Sequence, residues 1–270
     1  MYRSIVSRWP IDPVDADTHQ YDRLPIEPSC MSVPIGAQNE EIVETYDRFA
    51  SPYDRLLSPL EDSSRRHAID ALGVESGDRV LEIGCGPGHA LVELARRTGP
   101  AGAVIGLDAA SGMIARAVGR IDGTNGRRLR DGGSDSIDWV HPILGDARTL
   151  PIRRASIDAV FIEDTLELFS VKEMEIVLEE SHRVLRDGGR LGVVTMDRHG
   201  IEDEPFLRAY EWLYEHVPGS GRIGCRPVYA RRAIERAGFA IERHERTRRL
   251  GVWPVDVLVG RRASDAREPN

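Results

Sequence analysis

Val80-Leu81-Glu82-Ile83-Gly84-Cys85-Gly86-Pro87-Gly88 is an apolar stretch of strand character that runs into a glycine-rich turn, with helical spacing resuming at His89. Glycines in such a turn let the backbone reverse tightly and approach a ligand closely, so a nucleotide-type ligand is expected at the carboxyl end of this strand. The dinucleotide fingerprint requires a glycine three positions after the second, and His89 stands there instead. A phosphate loop requires a lysine followed by Ser or Thr, which this turn lacks. Glu82 disfavours a polyanion and favours a ligand with positive charge. S-adenosylmethionine, cationic at its sulfonium and amino groups, has that chemistry; a tight turn without any ligand is the alternative.

Working outward, strands are expected over Arg79 to Ile83, Ala103 to Leu107, Trp139 to Leu144, Ile157 to Ile162 and Arg190 to Thr195, with helices between them. Their near-continuous Val, Ile and Leu content suits strands buried on both faces, and the alternation defines a doubly wound, mostly parallel α/β sheet. Two later strands, Phe239 to Glu245 and Val255 to Arg261, bring the count to seven. Helices are expected around Arg65 to Leu72, Pro205 to His216 and Val228 to Ala237. The best-defined helix begins at a capping box of Ser170 and Glu173, buries Val171, Met174, Val177, Leu178 and Leu185, and is stopped by Gly188 and Gly189.

Residues 1–37 scatter prolines among acids with no apolar period, and a disordered leader is expected there, with a possible second start at Met31. Residues 38–74 read as N-terminal helices, residues 75–262 as the main domain, residues 120–138 as a mobile insertion rich in Gly, Asp and Arg, and residues 263–270 as a disordered tail.

Three further segments carry chemistry. Asp108 ends a strand about 20 residues past the turn, placed to accept both ribose hydroxyls, although an isolated Asp also caps helices. Met113 follows one helical turn later and suits either an adenine face or the core. Gly145-Asp146-Ala147 again follows a strand, so Asp146 can accept the adenine amino group while a backbone amide donates to the ring; the alternative is an ordinary turn. Glu163 and Asp164 follow the strand across the switch in crossover direction, beside the reaction centre. Asp164 and His199, and also His89, are candidates to take a proton from an acceptor, each with a capping or surface role as the alternative.

Glu82-x-Gly84-x-Gly86-x-Gly88, Asp108, Gly145-Asp146-Ala147-x-x-Leu150-Pro151 and Arg183-Val184-Leu185-x-x-Gly188-Gly189, in this order, resemble the class I S-adenosylmethionine-dependent methyltransferase superfamily. The group similar to the ubiquinone and menaquinone biosynthesis C-methyltransferases is the nearest in pattern, over roughly residues 40–262. The resemblance implies a Rossmann-like methyltransferase fold with an N-terminal helical lid. It also implies that Glu82, Gly84, Cys85, Gly86 and Gly88 surround the methionine part, Asp108 and Ala109 the ribose, and Asp146 with Ala147 the adenine, with Glu163 holding the cofactor end of the pocket. A Tyr-Asp pair such as Tyr53-Asp54 often lies near the methionine end in that family, and Tyr53 equally fits a core stripe.

A net charge of −8 argues against nucleic acid as the main partner, and no run approaches the roughly 20 apolar residues that span a bilayer. A cytoplasmic location is expected. The three cysteines, Cys30, Cys85 and Cys225, fit neither a disulfide framework nor a zinc pattern, and no metal is expected. The leading expectation is methyl transfer to a small molecule, with a macromolecular acceptor or a non-catalytic cofactor-binding module as alternatives. The oligomeric state is open.

Overall fold

The computed structural model describes residue 44 and residues 58–130, 139–216, 226–249 and 253–263. The expected leader, Tyr53, Cys30, Cys225 and the expected tail from residue 264 lie outside them. The elements run α1 (Ser58–Leu72), β1 (Arg79–Ile83), α2 (His89–Thr98), β2 (Ala103–Asp108), α3 (Ser111–Arg130), β3 (Val140–Leu144), β4 (Ile157–Glu163), a short 3-10 turn (Leu166–Leu168), α4 (Val171–Val184), β5 (Leu185–Thr195), α5 (Pro205–His216), α6 (Ala230–Arg236), β6 (Phe239–Arg249) and β7 (Trp253–Arg262). All seven strands join one sheet in the order β3-β2-β1-β4-β5-β7-β6, in which β7 alone runs against its neighbours. The doubly wound, mostly parallel seven-stranded sheet expected from the sequence is the one observed.

Side chains alternate across that sheet. Leu81, Ile83, Ile105, Leu107, Val160 and Ile162 pack on one face with Met174, Val177 and Leu178 of α4. Val80, Val104, Ala159 and Phe161 pack on the other with Ile69 and Leu72 of α1 and Leu91 and Leu94 of α2. Burial on both faces explains why the central strands carry no polar alternation. Glu82 is the exception: an even-numbered position of β1, it shares the face of Val80, toward α1 and α2. Gly106 lets α2 sit close, because a Cβ there would lie 2.7 Å from Leu91 Cδ1.

Several boundaries differ from the sequence reading, among them the end of β6, which runs to Arg249 rather than Glu245. α4 ends at Val184, and Leu185 is already extended (φ −66°, ψ 141°) as the first residue of β5, opposite Ile157. The carbonyls of Arg183 and Val184 accept from the amides of Ala155 and Ser156, so a neighbouring turn stops the helix before the glycines do. Gly188, with φ +71°, falls where the β4–β5 register slips. Another difference is in the expected insertion, whose residues 120–130 are the last turns of α3. Met113, Ala117 and Ile121 are buried at helical spacing and carry the helix past Gly119 and Gly123 at a modest propensity cost. In addition, residues 58–72 of the expected lid form a helix of the sandwich itself, with Ala68, Ile69 and Leu72 in the core. Among the described residues no helix is long and apolar enough to cross a membrane.

The capping box forms as expected: the Glu173 amide donates to Ser170 Oγ at 3.3 Å and the Ser170 amide to Glu173 Oε2 at 3.0 Å. Ser170→Ala is expected to cost about 1 kcal/mol in urea unfolding. A change within a few tenths of a kcal/mol would show that tertiary packing alone sets the start of α4.

Candidate active site

The turn after β1 is fixed from two sides. The amides of Gly84 and Cys85 donate to the Leu107 carbonyl at 2.8 and 3.0 Å. Asp108, at the end of β2, then accepts from the Gly86 amide through Oδ2 and from the Ala110 amide through Oδ1, both at 2.8 Å. A carboxylate has about four lone-pair directions, so these two bonds leave acceptor capacity for a ribose. Gly84 combines φ +71° with contact to Thr165, whose Oγ1 would lie 2.2 Å from an added Cβ. No side chain fits there without moving Thr165, which is itself held by donation to the Glu163 carbonyl at 2.7 Å. Cys85 is buried, and burial pushes its thiol well above the usual range, with Glu82 and Asp108 adding to the effect.

In front of the turn lies a cavity of about 340 Å³ along the carboxyl ends of four adjacent strands. Glu163, Asp164 and Thr165 line it after β4, Gly84 and Gly86 after β1, Asp108 and Ala109 after β2, and Asp146 and Ala147 after β3. Met113 also contributes to the wall and is almost fully buried. With strands about 4.8 Å apart, the crevice spans roughly 14 Å, the reach of an elongated nucleoside. A recess of about 50 Å³ adjoins it, lined by Arg65, Glu82 and His89 and sharing Gly84, Gly86, Glu163 and Asp164 with the main cavity.

Acids dominate the β1–β4 end. Glu82 is 2% exposed, and among the described residues its Oε2 has no hydrogen-bond partner. Burial raises its pKa well above the usual carboxylate range; Glu163 and Asp108 push the same way and Arg65 opposes them. Glu163 accepts from Arg65 Nε at 2.6 Å and lies 4.0 Å from Arg249 Nη2. Asp164 accepts from Arg249 Nη1 at 2.7 Å and is held at φ +45°, a backbone state that non-glycine residues adopt rarely. Arg249 also donates to Ser64 Oγ at 3.0 and 3.2 Å. Four carboxyl groups, Glu82, Asp108, Glu163 and Asp164, thus meet two guanidinium groups, a balance that favours a cationic ligand.

Asp146 stands at the other end in the fork of Arg148, with contacts of 2.7 and 3.0 Å. Partial burial raises its pKa, but the hydrogen bonds from Arg148 outweigh this and lower it overall. Arg148 continues to Glu173 at 2.6 Å, tying the loop after β3 to the cap of α4.

Not every candidate reaches the crevice. His89 lies at the first turn of α2 and lines the recess, whereas His199 lies beyond β5 and lines neither space. Its amide donates to Asp197 Oδ1 at 3.3 Å. Sequence reading missed Arg65, Arg148, Thr165 and Arg249. Arg65 had a signal: it falls three and four residues before Ala68 and Ile69, on the apolar stripe of α1. Arg249 had none, since β6 brings it to Asp164 from 85 positions away.

Behind the β4 loop, Glu167 is 3% exposed and accepts from Thr195 Oγ1 at 2.8 Å. The buried Arg226 holds the same turn, donating to the carbonyls of Glu167 and Phe169. Burial, helped by Asp164, raises the Glu167 pKa to about 8, against the lowering effects of its hydrogen bonds and Arg249. The folded chain therefore holds a proton that the unfolded chain releases from pH 4.5 upward, and this stabilisation is lost as pH rises toward 8. Glu167→Gln, which keeps an acceptor for Thr195, is expected to gain thermal stability over the native protein increasingly from about pH 5 to pH 9. Parallel melting curves across that range would rule out a protonated Glu167.

A methyltransferase domain family model matches residues 80–189, from β1 to the glycines of β5. The 2-phytyl-1,4-naphtoquinone methyltransferase of Synechococcus elongatus is 30% identical over 191 residues, covering 68% of this chain and 76% of the relative. An uncharacterized protein in transposon TN4556 of Streptomyces fradiae is 34% identical over 64% of this chain, which spans 46% of that relative's length. Among solved structures, a putative methyltransferase from Haloferax volcanii in complex with the Trm112 activator has a TM-score of 0.61 at 20% identity, over 81% of this chain and 97% of that one, and shows the shared fold. The chain belongs to the class I S-adenosylmethionine-dependent methyltransferases, enzymes whose cofactor is S-adenosylmethionine. The donor set fits that cofactor: among the described residues Glu82 Oε2 lacks a hydrogen-bond partner, and the acids around it outnumber the arginines.

Proposed function

We propose that this chain transfers the methyl group of S-adenosylmethionine to a small-molecule acceptor, quinone-like or another metabolite, by in-line displacement. One observation carries the reading: a crevice along the carboxyl ends of β4, β1, β2 and β3 presents Glu163, Asp164, Asp108 and Asp146, and the adjoining recess presents Glu82, whose Oε2 has no hydrogen-bond partner among the described residues. In this reading Glu82 and Glu163 face the amino and sulfonium end, and Gly84, Cys85, Gly86 and Gly88 wrap the methionine part. Asp108 with Ala109 takes the ribose hydroxyls, Asp146 and Ala147 the adenine edge, and Met113 the adenine face. The bound cofactor supplies a methyl group already activated by the sulfonium, so the protein's own contribution is alignment and exclusion of water. The acceptor class follows from the Synechococcus relative's name and from the acidic balance of the chain, which disfavours a polyanion.

Asp164 is the proton acceptor we assign, because it lines both the main cavity and the recess while His199 lines neither. Arg249 fixes its carboxylate at 2.7 Å, and Ser64 fixes Arg249 in turn. We place the activity in the cytoplasm.

Calorimetry is expected to show binding of both S-adenosylmethionine and its demethylated product. Asp108→Asn puts an NH₂ group against amides that now donate to a carboxylate, and should weaken both ligands alike by about tenfold or more. Absence of binding to the native protein would sink the proposal. With labelled cofactor and a fractionated lysate, label is expected in small molecules; label in protein or nucleic acid would contradict the acceptor class. Once an acceptor is in hand, Asp164→Asn should lower kcat by about 10² or more, a much larger change than in cofactor affinity, and an unchanged kcat would remove Asp164 from the reaction.

A further inference from the structure

The flank of the sheet away from the adenine end holds a second cluster of acids. Asp256 on β7 pairs in register with Thr195 of β5 on one side and Arg246 of β6 on the other. His244 precedes Arg246 by two residues and so shares its face of β6. Asp197 follows β5 by two residues, where the backbone bridges to Val228. One carboxylate oxygen from each Asp and a His244 ring nitrogen lie within 4.8 Å of one another.

We propose that Asp197, His244 and Asp256 form a binding site for a divalent first-row transition ion, with zinc the best match. Asp197 and Asp256 are both 0% exposed, so two carboxylates share a dry pocket. Among the described residues Asp197 Oδ2 has no hydrogen-bond partner, and Oδ1 receives the long 3.3 Å contact from the His199 amide. Two buried carboxylates side by side are costly unless positive charge stands between them.

The resident cation, Arg246, is committed elsewhere. Its Nε contacts the two Asp256 oxygens at 2.9 and 3.1 Å, and its Nη2 donates to the carbonyls of Asp197 and His199 at 3.1 and 2.8 Å. Arg246 therefore orients Asp256 and shapes the Asp197–His199 loop, leaving the Asp197 carboxylate to another cation. An ion drawing on Asp256 Oδ1 shares that oxygen with Arg246 Nε, which contacts it at 2.9 Å and Oδ2 at 3.1 Å, so the guanidinium acts as an outer group that orients the ligating carboxylate.

The spacing suits such an ion. His244 Nε2 and Asp256 Oδ1 are 2.7 Å apart. Two ligand atoms on one tetrahedral ion, with bonds of about 2.1 Å, stand about 3.4 Å apart, so this pair parts by about 0.7 Å to admit it. An imidazole beside two carboxylates disfavours magnesium and calcium and, without thiolate, suits zinc, cobalt or manganese. Three protein ligands leave a coordination position for solvent. In register, Asp256 lies one residue pair beyond Val194–Val257, the pair level with Glu163 two strands away. The ion would lie about 10 Å from that acid along the sheet, outside the crevice.

Chelator-treated full-length protein, titrated with Zn²⁺ and separately with Co²⁺, should bind one ion per chain. The cobalt complex should show d–d absorption without thiolate-to-metal charge transfer, and zinc should raise the melting temperature. Asp197→Asn and His244→Gln should each weaken binding by about tenfold or more and abolish the melting shift, with cofactor binding retained. His244 lies on the half-exposed side of the cluster, so His244→Gln reads the site even where Asp197→Asn fails to fold. Failure of the native protein to bind either ion, binding by His244→Gln as tight as native, or a thiolate charge-transfer band would overturn the proposal.

Discussion

A carboxylate stays ionised inside a protein only where charge or hydrogen bonds replace the water it has lost. β1 carries Glu82 into a place where they do so only in part, between the sheet and α1–α2, two residues before the chain reverses at Gly84. Arg65 reaches inward from α1 and donates to Glu163, and among the described residues Glu82 Oε2 has no hydrogen-bond partner. The Asp108 clamp on Gly86 and the Thr165 contact at Gly84 hold the turn in place around that group. A dry, anionic, preformed corner of this kind is matched by a cation with a donor to give, which is what the ammonium and sulfonium end of S-adenosylmethionine offers.

The length of the ligand is set by topology. The chain winds from β1 through β2 to β3 and then returns to place β4 on the other side of β1, so the crossover direction reverses beside the turn. Loops after four neighbouring strands open toward one crevice, as is general at a switch point in a doubly wound sheet. The ends of β2, β3 and β4 place acids at different distances from the turn, and the Arg148 bridge from Asp146 to Glu173 joins the far end to the start of α4.

What could be read in advance was what depends on local pattern. Strand runs buried on both faces, the glycine turn and acids directly after strands are set by neighbours in sequence, and β1, α5 and the Ser170 cap fall where the pattern placed them. The extent of α4 was decided by the Ala155–Ser156 turn that takes its last carbonyls, and the length of α3 by burial of Met113, Ala117 and Ile121. Arg249, which meets Asp164 only because β6 closes the sheet's edge, left no local trace. Asp197, His244 and Asp256 have the same character: their spacing matches no metal motif, and only the β5-β7-β6 register assembles them. The fold is therefore mostly legible, the donor side of the site partly so, and the arginine partners hardly at all.

The proton balance of cofactor binding tests the role of Glu82 most directly. Because its pKa is raised in the ligand-free site, arrival of a cation should restore ionisation and drive a proton off. Calorimetric titration of S-adenosylmethionine in buffers of different ionisation enthalpy, near neutral pH, should show net proton release that disappears in Glu82→Gln. Binding of equal strength with no linked proton, or with the same release in both proteins, would contradict the assignment of Glu82 as the buried acid that receives the cofactor's charge.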